Sequence, residues 1–206
     1  MPTAVKRRKP TLKQRIEIAA YDMFEEMGIG HVTIEAIAEA AETTKTGVYR
    51  QFGSKDALVE AWIIDVIRRY RGILDDLQFR FPDDPAGQIR GFAQNIADNL
   101  PAISDRGCPF INTIAEVGDS NNSLIRRIMT HKAGQAQRLA ALCERAGIPD
   151  PQHAAANITF VLEGAQISAQ NGSISSTATH TMAIVESILA RAQPDFKGHL
   201  VQTERA

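Results

Sequence analysis

Apolar residues return every three to four positions along most of the chain, and no stretch alternates in the period-two rhythm of a strand, so the pattern predicts an all-α protein. Ile16, Ala19, Ala20, Phe24 and Met27 mark a first helix, with Thr11 and Gln14 spaced as a capping box before it and Gly28 and Gly30 as its stop. Thr33 caps a short second helix whose inward stripe is Ile34, Ile37, Ala38 and Ala41, with Glu35 in the first turn where the helix dipole favours an acid. Thr43 and Thr44 offer a cap for a third, in which Val48 and Phe52 point one way and Lys45, Thr46, Tyr49, Arg50 and Gln51 the other. Ser54 opens a longer helix bearing Trp62, Ile63, Val66, Ile67, Tyr70, Leu74 and Leu77, and "FPDDP" at 81–85 ends it. Further helical blocks are expected near 84–100, 107–118, 122–147, 151–171 and 176–193, separated by Pro101, "GDSNN", "GIPDP" and "NGSISS".

The second and third helices, joined by a turn of a few residues, have the form of a helix-turn-helix. Small alanines allow the pair to pack closely at a steep angle while the polar face of the second member is left to enter a groove. Charge agrees with this. Residues 1–55 hold nine Lys and Arg against seven Asp and Glu, and Lys6, Arg7, Arg8, Lys9, Lys13 and Arg15 all precede the first acid, Glu17. Such an arm is attracted to phosphate, although on its own it fits a solubilising tail equally well, as the polar helix face fits a solvated surface.

The remaining composition mainly excludes. With 44% hydrophobic residues, 206 residues suffice for one large domain or a small one joined to a larger one. Apolar runs such as Ala61–Ile64 fall far short of the roughly 20 residues of a membrane span, and no apolar segment follows the basic start as in a secretory signal, so a cytoplasmic protein without membrane contact is expected. Cys108 and Cys143 are too few and too far apart for a disulfide framework or a CxxC site, and the five histidines show no metal-ligand pairing; reduced thiols and no metal or cofactor are expected. A helical enzyme is disfavoured by the lack of a G-x-S-x-G elbow, a phosphate-cradling glycine loop or a nucleophile with its base.

The stretch "TIEAIAEAAETTKTGVYRQFGSKDALV", Thr33–Val59, preceded by "RIEIAAYDMFEEMGIGHVT", resembles the DNA-binding signature of the TetR family of bacterial transcriptional regulators: an "IA" helix, a Lys, a Tyr, a Phe and a Ser-Lys pair, in that order. "RGCPFINTIAEV", Arg106–Val117, is similar to the start of the sixth helix in one group of that family. The chain departs from the pattern where Glu42 holds a turn position often filled by Gly, Thr43 replaces a common Val, and Lys45-Thr46-Gly47 replaces Lys-Gly-Thr. Glu42 is therefore expected to carry an unfavourable backbone angle.

The resemblance implies a basic arm at 1–10, a three-helix helix-turn-helix domain at 11–55, a helical ligand-binding and dimerisation domain at 56–193, and a disordered tail at 194–206. It implies a homodimeric regulator of double-stranded DNA bearing a palindromic operator, acting as a repressor released by a small-molecule effector; a non-specific architectural DNA binder is the alternative. Thr33, Thr44, Tyr49 and Lys55 are expected on phosphates, Lys45, Thr46, Arg50 and Gln51 on base edges, and Gly47 at a point of close approach. For the effector, Trp62, Val66, Tyr70, Phe92, Ile96, Phe110, Ile114 and Phe160 are candidate lining residues, each also suited to ordinary core. Cys108, beside Arg106 and a helix start, is a candidate reactive thiol, a buried inert one being the stronger reading. The dimer seam is expected along Ile158, Val161, Leu162, Ala165 and Ala169 with Met182, Val185, Ile188, Leu189 and Ala192, stripes that also fit an intrachain core.

Overall fold

A computed structural model of the chain describes residues 9–103, 106–118 and 122–192, so the tail at 194–206 and all but Lys9 and Pro10 of the expected arm lie outside the described residues. These residues form α1 (Leu12–Met27), α2 (Ile34–Ala40), α3 (Lys45–Phe52), α4 (Lys55–Arg80), α5 (Pro85–Ile103), α6 (Pro109–Val117), α7 (Asn122–Arg145), α8 (Pro151–Asn171) and α9 (Thr177–Leu189), with no strand among them. No helix among the described residues is long and apolar enough to cross a membrane.

The local signals act as the chemistry requires. Thr11 Oγ1 accepts from the Gln14 N–H at 3.3 Å while Gln14 Oε1 accepts from the Thr11 N–H at 2.8 Å, satisfying two of the donors left open at a helix start. At the other end Gly28 takes φ +85°, which costs little without a Cβ. Thr33, Thr44 and Ser54 cap α2, α3 and α4 through hydroxyls that accept from the N–H groups of Ala36, Gly47 and Ala57. Pro101 does not separate helices as its residue type suggests. It sits inside the last turn of α5, which runs on to Ile103, where a proline costs a single N–H donor and only two further residues continue the helix.

By internal contacts the chain divides into two units, Met1–Val66 with Pro109–Asn121 and Ile67–Cys108 with Asn122–Ala206. In the first, Ile16, Phe24, Ile37, Val48, Leu58 and Ile63 are buried, and the Phe24 and Trp62 rings meet at 5.5 Å with a 50° tilt. Met27, expected on the inward stripe of α1, is exposed at its last residue.

In the second unit Ile89, Phe92, Leu139, Ile158, Leu162 and Val185 belong to one buried cluster drawn from α5, α7, α8 and α9. Arg90 and Glu186 add a two-pronged pair at 2.5 and 3.0 Å. Their mutual hydrogen bonds come first among the causes that raise the guanidinium's pKa and lower the carboxyl's. Both cysteines are buried free thiols, and burial pushes Cys143 up to about 11.

This core corrects the expected dimer seam. Ile158, Leu162, Ala165, Val185, Ile188 and Leu189 are buried within the chain itself, while Val161, Ala169, Met182 and Ala192 are half-buried at its margin. Helix α8 is apolar on two faces, and the periodicity picked the inner one. Its outer face presents Phe160, 73% exposed, with Gly164 and Ile167, 44% exposed, at helical spacing. Ile158→Ala is therefore expected to destabilise the folded chain by about 2–5 kcal/mol in urea unfolding. Phe160→Ala, measured under dilute conditions, is expected to leave the intrachain fold within about 0.5 kcal/mol of the parent.

Candidate DNA-binding interface

The turn between α2 and α3 positions everything that follows. Ala41 is buried, Glu42 takes φ +50°, and the Thr43 N–H donates to Ala38 O at 2.8 Å. A left-handed angle on a side chain with a Cβ costs on the order of 1 kcal/mol, the penalty expected where Glu replaces Gly. The Glu42 carboxylate lies 3.6 Å from Arg15 Nη1 of α1.

Beyond the turn, Thr44 caps α3 and Val48 faces inward, which leaves Lys45, Thr46, Tyr49, Arg50 and Gln51 exposed along one side. Tyr49 shows 41% of its surface and has the Lys45 ammonium 6.0 Å from its ring centroid. Arg50 and Gln51 make no ion pair or side-chain hydrogen bond with any described residue. Phe52, expected in the core beside Val48, is only half-buried, with Lys13 Nζ 5.6 Å above its ring.

Three of the expected DNA-facing residues have other engagements. Gly47 is buried, and a Cβ there would come within 2.5 Å of Thr43 Oγ1, so its missing side chain serves the turn's own packing rather than a close approach from outside. Lys45 Nζ donates to Glu35 Oε1, and that hydrogen bond leads the causes that raise the lysine's pKa and lower the glutamate's. Lys55 Nζ donates to Ile29 O at 2.6 Å, fastening the start of α4 to the segment after α1. Thr33 and Thr44 use their hydroxyl oxygens as caps, and each hydroxyl can still donate its own proton to an acceptor.

The candidate effector residues fall in both units. Trp62, Val66 and Phe110 are buried residues of the first unit, where Ile114 is exposed; Phe92, Ile96 and Cys108 are buried in the second, where Phe160 stands on the outer face of α8. Packing accounts for the first six, and the exposure of Ile114 and Phe160 removes them from any interior lining. Tyr70 alone of the nine borders a cavity of about 250 Å³ in the second unit, shared with residues of α4 and α7.

Residues 18–62 match the family model described as bacterial regulatory proteins, tetR family. Beyond that segment the fold continues the likeness. A TetR-family transcriptional regulator from Streptomyces coelicolor is 25% identical and superposes with a TM-score of 0.79 over 87% of this chain and 94% of that one. The chain is thus similar to TetR-family regulators, in sequence over residues 18–62 and in fold over most of its length. A TetR transcriptional regulator from Legionella pneumophila, at 17% identity, shares the fold with a TM-score of 0.74 over 88% and 98% of the two chains. So does the regulatory protein TetR from Rhodobacter sphaeroides, at 20% identity with a TM-score of 0.70 over 84% and 96%. No curated protein sequence matches. The matched segment contains α2 and α3, the two helices of the helix-turn-helix, and its likeness is to DNA-binding transcriptional regulators rather than to any enzyme.

Local sequence pattern does not reveal how the acids beside α3 are tied. Glu35 was assigned only to the dipole of α2 and Glu42 only to backbone strain, yet the two carboxylates engage Lys45 and Arg15 at the edge of α3. Alternating acids and bases across a tight turn were the available signal, but the pairing depends on the angle between helices. Glu35→Gln is expected to free Lys45 and remove a negative charge from this edge. Fluorescence anisotropy on random duplex at low salt should then show tighter binding with a steeper salt dependence than the parent, and equal affinity and slope would refute the assignment.

Proposed function

We propose that the regulator binds a palindromic operator as a homodimer, represses transcription by occupying it, and is released by a small-molecule effector in the cytoplasm. The observation that carries selective reading is the outer face of α3, where Arg50 and Gln51 are exposed and uncommitted. Arg can grip guanine and Gln adenine with two hydrogen bonds each in the major groove, and a helix held by Val48 from behind presents both at once. Thr33, Thr44 and Tyr49 supply phosphate contacts that set register without reading sequence, and Lys45 and Thr46 flank the base-facing pair. Lys55 contributes chiefly by holding the segment after α1 in place, with its remaining ammonium protons turned to the backbone of the duplex.

Two copies are required because one α3 spans only a few base pairs, too little for a unique site. The surface that supports a pairing of α8 and α9 with a second copy is the outer one: Phe160, Gly164 and Ile167 on α8, and Ile184, 46% exposed, on α9. Large apolar side chains left in water on neighbouring helices are the usual mark of a covered face. Effector release requires only that the ligand favour one separation of the two reading heads over another.

Operator fragments selected from random duplex by the purified protein test the central reading. Arg50→Ala is expected to lose about 1–3 kcal/mol on the selected operator and to relax preference at one base pair per half-site. Tyr49→Ala should weaken all duplexes alike. Equal affinity of the parent for operator and random sequence would leave a non-specific architectural protein instead. Phe160→Asp is expected to convert a dimer to monomer in sedimentation velocity and to abolish cooperative binding to paired half-sites; an unchanged dimer would place the seam elsewhere.

A further inference from the structure

The cavity in the second unit differs in kind from an apolar pocket. Its walls are the paired faces of α4 and α7, Tyr70, Arg71 and Leu74 on one side and His131, Gln135 and Arg138 on the other. Leu74 is buried and supplies an apolar floor, while the Tyr70 and His131 rings stand edge to face with centroids 6.4 Å apart. Arg138 is committed, donating to Asp75 Oδ1 at 2.5 Å and to Gln78 Oε1 at 2.9 Å, so it cancels the one carboxylate on the cavity wall. Arg71 has no ion-pair or hydrogen-bond partner among the described residues. The lining therefore carries one uncompensated positive charge.

Burial, followed by the charges of Lys132 and Arg71, holds His131 down to about 4, so its imidazole is neutral at pH 7 and adds no second cation. Gln135 lies one helical turn beyond it, and its side-chain oxygen is buried with no hydrogen-bond partner. Gln135 lines the cavity, and a half-turn of its amide exchanges oxygen for N–H without breaking a hydrogen bond at the oxygen, so the side chain can offer a donor there. At about 250 Å³ the space is slightly smaller than the roughly 300–1,000 Å³ of sites for drug-sized ligands.

We infer that this cavity binds a small aromatic carboxylate, its anionic group held by Arg71 and the Gln135 amide and its ring against Tyr70, His131 and Leu74. The charge selects an anion, the planar fork of Arg71 favours a carboxylate's two oxygens, and the rings with the apolar floor favour a flat hydrocarbon body over a sugar or inorganic ion. This deepens the proposed effector response and rests on it for a single consequence, release from DNA; occupancy of the cavity is read independently of DNA.

The full chain is titrated calorimetrically with 2-naphthoate, neutral 2-naphthamide and cationic 2-naphthylmethylamine. The acid is expected to bind saturably, the amide at least about tenfold more weakly and the amine not at all. Arg71→Gln, a change at an exposed position, should weaken the acid by about tenfold or more, and Arg71→Lys should recover part of the loss. Gly134 lines the cavity from α7 with open space where a Cβ would stand, so Gly134→Leu should block binding while the unfolding temperature holds or rises, since leucine favours helix. Equal binding of acid and amide, absence of acid binding at millimolar concentration, or parent-like affinity in both Arg71→Gln and Gly134→Leu would overturn the assignment. Binding that passes these checks yet leaves operator affinity unchanged would keep the site and overturn the effector role alone.

Discussion

Val48 is the contact on which the DNA-facing surface depends. Successive residues of an α-helix are rotated by about 100°. Once this side chain is buried, the directions of its neighbours follow: Lys45, Thr46, Tyr49, Arg50 and Gln51 reach solvent, and Gly47 is turned in toward Thr43. The Thr44 cap fixes where the helix begins, and the buried Ala38 and Ala41 let α2 come close enough for so short a helix to be held at all. An eight-residue helix has little stability of its own, so its orientation comes from this packing rather than from propensity.

Around that contact, basic side chains are held in pairs within the first unit. Glu35 and Glu42 sit where a polyanion would be repelled, and each is matched by a base from a neighbouring helix. Such exposed pairs are readily exchanged for phosphate in the presence of a duplex. On the proposed reading the acids temper indiscriminate binding and leave Arg50 and Gln51, which carry no such pair, outside the exchange. Lys55 has a further role, since its bond to Ile29 O joins the entrance of α4 to the segment that leads into α2.

What could be read in advance was whatever is decided within a few residues. Thr11 with Gln14, Thr33, Thr44 and Ser54 are caps whose partners lie three positions away, and Glu42's positive φ follows from its place in the tight turn between α2 and α3. Failures arose where a second dimension entered. Periodicity on α8 does not say which of two apolar faces meets the chain's own α5 and α9, so it leaves Ile158 and Leu162 fitting a seam or a core, and only the folded chain shows them buried and Phe160 exposed. Gly47 looked outward because its neighbours do. Arg71 and His131 went unremarked because a shared cavity joins residues far apart in the sequence, on helices whose facing sides no local pattern reveals.

Helix α6 adds a last consequence. The Glu116 carboxylate accepts the Gly30 N–H at 2.8 Å, so a helix separated in the chain from α2 by the whole of α3, α4 and α5 is stitched to the bend between α1 and α2. A severed fragment ending with α4 would keep every groove-facing side chain yet leave that amide without its acceptor. The recognition module is in this sense discontinuous, completed by a segment translated long after the helices it steadies.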